Sequence, residues 1–134
     1  TVDTRVVLQA ACEISMEDFY GTYSGREGAS TFTSTISEGP EPNTLTVTGL
    51  YGRPTGKTII QLSEDPTAPY VTFRSSDFDA ALYQHSVYGS VWATTSTATA
   101  ATYGSCDKSL RLVYRRCVSI GCFAGTNTAV LTRQ

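Results

Sequence analysis

The side chains best suited to chemistry in this sequence are one histidine, two pairs of close-set acids, four cysteines and a set of aromatic residues. His85 lies near Asp77 and Asp79 in sequence. An imidazole beside a carboxylate can act as a general base, although a loop histidine more often makes a local hydrogen bond. Glu64-Asp65 and Asp77-Asp79 resemble the two acids of a glycosidase only in number, since those must flank a bond from opposite sides. Asp77 and Asp79 are better explained as first-turn residues near the positive end of a short helix. As calcium ligands they lack the rest of an oxygen cage nearby. No G-x-S-x-G elbow holds a nucleophilic serine. The expectation is a protein that is not an enzyme and carries neither metal nor cofactor.

Aromatic side chains offer a different chemistry. A sugar-binding surface uses an exposed ring as a stacking platform, with a few polar groups to fix orientation. Trp92, Tyr88 and Tyr70 are the candidate ligand-binding residues. On a regular strand Tyr88 and Trp92 share one face, with Val87, Val91 and Ala93 on the other. If the valines face the core, the rings lie outside, where a platform belongs. In the alternative arrangement the rings fill the interior and each finds one partner for its polar tip.

Cys12, Cys106, Cys117 and Cys122 admit three pairings if all are bridged. No C-x-x-C is present, and a single histidine gives little to a mixed zinc site. An even count suits an exported, oxidising setting, with buried free thiols as the alternative. The formal net charge of -2 argues against a nucleic-acid or anionic-membrane partner. The adjacent Arg115 and Arg116 point to opposite faces of a strand and make no basic patch. No apolar run approaches the roughly 18 residues of a membrane span. Leu8-Gln9-Ala10-Ala11-Cys12 resembles a lipid-attachment site, but only Val6-Val7-Leu8 precedes it as an apolar run.

The 134 residues suit one domain able to bury a core of its own. Thr, Ser and Tyr abundance favours strands. Residues 1–13 read as a linker or the terminal strand of an upstream domain, and 14–134 as the domain itself. Ser15 and Asp18 form a variant capping box for one turn of helix, and Gly21 releases the chain into a strand at 22–24. A turn is expected at 25–28, then strands at 30–37, 44–50, 57–62 and 69–74. Leu45 and Val47 face inward on the third of these five. Residues 75–83 read as a short helix or compact loop, 86–94 as the sixth strand, 110–118 as the longest strand and 126–132 as the eighth. The Thr/Ala-rich 94–102 is strand tail or loop. Eight consecutive strands joined by short links predict an all-β, eight-stranded antiparallel up-and-down barrel, with a two-sheet β-sandwich as the alternative.

Phe19-Tyr20-Gly21-Thr22-Tyr23 on its capped turn resembles the Gly-x-Trp opening of lipocalins, with Tyr23 in place of Trp. Arg133 then resembles the basic residue that packs over that aromatic from the last strand. The chain as a whole is similar to the lipocalin-like C-terminal domains of Bacteroidetes surface lipoproteins. The likeness rests on Cys12-Glu13-Ile14, Asp18 to Tyr23 and the closing stretch Cys117 to Thr126. That resemblance implies an exported, lipid-anchored, non-catalytic module that binds a glycan or a small apolar ligand. The alternative is an interaction domain with a filled barrel that contacts an adjacent domain or surface protein. A filled interior with no concave polar pocket counts against ligand binding.

Overall fold

The computed structural model describes residues 12, 14–53, 55–65, 67–78, 80–96 and 99–134. The terminal strand expected over 4–12, all but its last residue, and Asp79 lie outside the described residues. The described residues form eleven strands: β1 (Gly21–Glu27), β2 (Ser30–Glu38), β3 (Thr44–Thr48), β4 (Lys57–Leu62), β5 (Tyr70–Phe73), β6 (Tyr83–His85), β7 (Gly89–Thr95), β8 (Ala101–Tyr103), β9 (Leu110–Val118), β10 (Gly121–Cys122) and β11 (Asn127–Arg133). The antiparallel ladder runs β1-β2-β3-β4-β5-β8-β9-β11 and returns to β1, closing an eight-stranded barrel. Closure leaves no free edge along this circuit, so the sandwich alternative is set aside.

The sixth stave, between β5 and β9, is divided. β8 pairs with the start of β9 through Thr102↔Arg111, whereas β7 pairs with its far half through Trp92↔Cys117 and Thr95↔Tyr114. The segment at 94–102 whose pattern left strand and loop open is therefore both, with strand at each end. Tyr83, the last residue of the stretch expected as a short helix or compact loop, begins a strand to His85 that pairs with β7 as a flap.

Alternation decides what fills the barrel. Tyr23, Ile36, Leu45, Val47, Ile60, Leu62, Phe73, Leu110, Leu112, Tyr114 and Leu131 are buried in one cluster. Their rings and branched chains occupy the interior. The expected turn at 25–28 is displaced to Gly28 and Ala29, because β1 continues through Gly25. Gly25 faces inward opposite Phe32, and a Cβ there would come within 2.3 Å of the Phe32 ring. A missing side chain inside a strand makes room for a neighbouring ring, and this glycine is no breaker.

One end of the barrel is closed by the turn of 3-10 helix at Met16–Phe19. The Ser15 amide donates to Asp18 Oδ2 at 3.1 Å, the Asp18 half of the expected capping box. Phe19 is fully buried and meets Tyr103 edge to face at 5.7 Å. Tyr23 points inward and donates its hydroxyl to the Phe19 carbonyl at 3.0 Å. Arg133 stands opposite Tyr23 in the β1–β11 ladder and donates to the Asp18 carbonyl. A disulfide from Cys12 to Cys106 ties the segment before this turn to the β8–β9 loop.

Candidate functional site

The opposite end of the barrel gathers the β1–β2, β3–β4 and β9–β11 connections and the β6–β7 flap. The inward row of β9 runs Leu110, Leu112, Tyr114 and then Arg116, so the last buried tyrosine is followed at the rim by a guanidinium. Tyr114 is wholly buried and donates its hydroxyl to Glu27 Oε1 at 2.6 Å. Asn127 Nδ2 donates to Glu27 Oε2 at 2.8 Å. Burial, followed by the Glu27 carboxylate, pushes the Tyr114 phenol far above its ordinary range, so it serves as a fixed donor. Glu27, Ser30, Thr31, Phe32, Tyr51, Gly52 and Asn127 line a groove of about 350 Å³.

Above that groove stands a stack of rings and guanidinium groups. Tyr51 and Tyr83 lie nearly parallel, 16° apart, with centroids 5.8 Å apart. The Arg53 guanidinium carbon sits 4.4 Å from the Tyr83 centroid. That of Arg116 sits 5.1 Å from Tyr51 and 5.0 Å from Phe123. Arg116 Nη1 donates to the Tyr83 hydroxyl at 3.0 Å. Tyr51 holds a left-handed backbone, φ 64° and ψ 22°, between Gly49 and Gly52, which also have positive φ. That conformation is unfavourable for a large aromatic residue and marks a position fixed by its surroundings.

The third part of the rim is aromatic. Tyr88, His85 and Phe123 meet pairwise, with centroids 5.0, 5.8 and 6.2 Å apart. His85 Nδ1 accepts the amides of Val87 and Tyr88 at 3.0 and 3.3 Å, folding the β6–β7 turn. Phe123 is held by its own amide, which donates to the Arg116 carbonyl at 2.9 Å, and by the Cys117–Cys122 disulfide immediately before it. Tyr88, Val118, Ile120, Gly121, Cys122 and Phe123 line a second groove of about 220 Å³.

Two of the three aromatic candidates lie at this end. Tyr88 is 44% exposed at the tip of the flap, and Trp92 is half-buried on the outer face of β7, across from Cys117. Val91 and Ala93 face inward, but Val87 is 75% exposed because the turn at Gly89 breaks the alternation. Tyr70, 55% exposed, is not with them. It pairs with Thr102, which pairs with Arg111, six positions along β9 from the residue facing Trp92. At about 3.3 Å per residue that is roughly 20 Å away, at the other end of the barrel.

Among the described residues, the acids singled out beside the histidine are engaged with other partners. Asp77 binds Arg74 at 3.0 Å, and Arg74 also pairs with Glu41 at 2.8 Å. Asp65 accepts from the amide and hydroxyl of Thr67, bonds that hold its carboxyl below the usual range. Among the described residues no group of three or more His, Cys, Asp or Glu is placed to hold a metal ion. None of their helices is long and apolar enough to cross a membrane.

Tyr51, Arg53, Tyr83, Arg116 and Phe123 were not singled out by sequence reasoning. Tyr51-Gly52-Arg53 reads as a turn, and Arg116 as half of a split pair. The one available signal was an arginine in the inward register of a strand, after Leu110, Leu112 and Tyr114. These features define the chain as a filled, closed β-barrel with an aromatic and arginine-bearing rim. Comparison with protein-family models, curated proteins and solved structures found no match.

Proposed function

We propose that this domain is a non-catalytic binding module of an exported, surface-anchored protein, and that it takes a carbohydrate across the rim of its open end. The single observation that carries this reading is the placement of Tyr88 and Phe123. The exposed Tyr88 ring and the rigidly held Phe123 wall one concave groove. Beside them, the Glu27–Asn127 groove offers the polar groups that orient sugar hydroxyls. The packed interior moves the binding place from the barrel cavity to the rim. Two disulfides that use all four cysteines support export to an oxidising compartment. Anchoring rests on the lipoprotein resemblance alone.

Trp92 is the sole tryptophan and lies one strand from Cys117, so its emission reports on this rim. Titration with a panel of oligosaccharides is expected to shift that emission saturably. Tyr88→Ala, with the same circular dichroism as the parent, is expected to lose the shift. If no oligosaccharide binds, by fluorescence or calorimetry, the reading is wrong.

A second reading is favoured by the apolar tips beside the same groove. Val87 and Ile120 are 75% and 78% exposed. Together with Tyr88 they suit contact with a partner protein, the arrangement expected of an interaction domain with a solid barrel.

A further inference from the structure

We infer that the rim selects an acidic saccharide, a uronic-acid type of ring whose carboxylate seats on Arg53 and Arg116; this rests on the carbohydrate reading above and names its ligand class. The first ground is the state of Arg116. Its guanidinium lies between the Tyr51 and Phe123 rings, and its Nε is sealed from solvent with no hydrogen-bond partner. The partner it does have, the Tyr83 hydroxyl, is neutral. A partly buried cation without a counter-ion loses hydration and receives no ionic attraction in return, and an arriving carboxylate supplies that attraction.

The second ground is that the charge is doubled and left open. Arg53, exposed, stacks on the other member of the tyrosine pair. Among the described residues both ion pairs belong to Arg74, so no described acid neutralises Arg53 or Arg116. Glu27, the carboxylate of the adjoining groove, makes no ion pair with either arginine, and its two oxygens are taken by Tyr114 and Asn127. It remains an acceptor for sugar hydroxyls. In a chain of net charge -2, this pair is a local exception to an otherwise acidic balance.

The third ground is rigidity. A planar guanidinium held between rings keeps one orientation, so donors not spent on Tyr83 meet an arriving carboxylate without a reordering cost. The left-handed Tyr51 and the Cys117–Cys122 bridge hold the two flanking rings in place before any ligand arrives. A sugar ring on Tyr88 and Phe123 with its carboxylate towards Arg116 uses both parts of the rim at once.

The test is calorimetric titration with a short oligogalacturonate and with the same oligosaccharide after its carboxyl groups are reduced to alcohols. The acid form is expected to bind at least about tenfold tighter, with affinity that falls as salt rises. Arg53→Gln, on an exposed residue that can change without unfolding the barrel, should remove about tenfold from the acid form and leave the neutral form unchanged. Arg116→Gln should remove more. If the neutral oligosaccharide binds as well as the acid and Arg53→Gln changes nothing, the acidic specificity is wrong while the carbohydrate reading stands. If neither form binds, both fail. If the acid form binds but Tyr88→Ala is without effect, the anion site stands and the aromatic platform does not.

Discussion

Replacing Tyr114 with phenylalanine removes one hydroxyl from the floor of the rim and leaves the surrounding packing in place. That hydroxyl is fully buried and donates to Glu27 Oε1 at 2.6 Å. A hydrogen bond to an ionised acceptor contributes about 1.5–3 kcal/mol. Glu27 is half-buried and keeps its bond from Asn127, so the lower part of that range applies. The expected loss is about 1.5–2 kcal/mol, which for a domain of this size lowers the thermal midpoint by roughly 5–10 °C. Tyr103→Phe is the matched control. Its hydroxyl donates to a neutral carbonyl, that of Ser63, at 3.0 Å, and its loss is expected to cost about 1 kcal/mol. Urea unfolding at neutral pH measures both, and an unchanged denaturant slope shows that the native fold is kept. The double variant with Glu27→Gln isolates the coupling, expected at about 1 kcal/mol or more. A Tyr114→Phe variant no less stable than Tyr103→Phe, with no coupling to Glu27, would falsify the claim that this pair anchors the rim.

The same phenol gives a pH prediction. Tyr114 and Tyr23 are raised above the ordinary phenol value of 10.0, mainly by burial. Their contribution is fully present below that value and is lost as pH climbs from it towards the folded-state value, so stability should fall above about pH 10. Absorbance at 295 nm should show Tyr114 ionising only as the protein unfolds. Asp107 is held below 3.8 by bonds from Ser109, so its contribution is present above that pH and lost on further acidification, which is visible as loosening of the Cys106 loop in hydrogen exchange. Gly49→Ala should cost about 2 kcal/mol or more, since φ is +95° and a Cβ would stand 2.6 Å from the Thr33 carbonyl oxygen. Gly28→Ala, at φ +61° with open space around it, should cost only about 1 kcal/mol in the same urea assay. By loop-closure entropy, removing Cys12–Cys106 should cost about 4–5 kcal/mol and Cys117–Cys122 about 2 kcal/mol, measured with paired Cys→Ser variants.

Local pattern carried the barrel a long way. Alternation placed Leu45 and Val47 inside, and the strand expected at 110–118 is present with those bounds, although at nine residues it only equals β2 in length. What escaped the pattern depended on contacts distant in sequence. Gly25 looks like a turn residue until Phe32 is seen lying across it. Val87 looks like a core residue until Gly89 turns the flap. The rim was illegible for the same reason. Tyr51, Tyr83 and Arg116 come from three parts of the chain, and only barrel closure brings them together. Tyr70, Tyr88 and Trp92 share a residue type, yet the register sends Tyr70 to the opposite end.

The bridge from Cys12 to Cys106 also sets how the domain would carry mechanical load. Tension on the chain ahead of Cys12 passes through sulfur to Cys106 and on to β9, bypassing every strand from β1 to β8. Those strands lie inside a covalent ring and cannot be drawn out. Only the stretch beyond Cys106 can lengthen, by at most about 85 Å when fully extended, because the Cys117–Cys122 bridge holds its own loop closed. Under reducing conditions the limit is several times greater. A force-extension record should therefore show a short contour gain that becomes long when the bridge is cut.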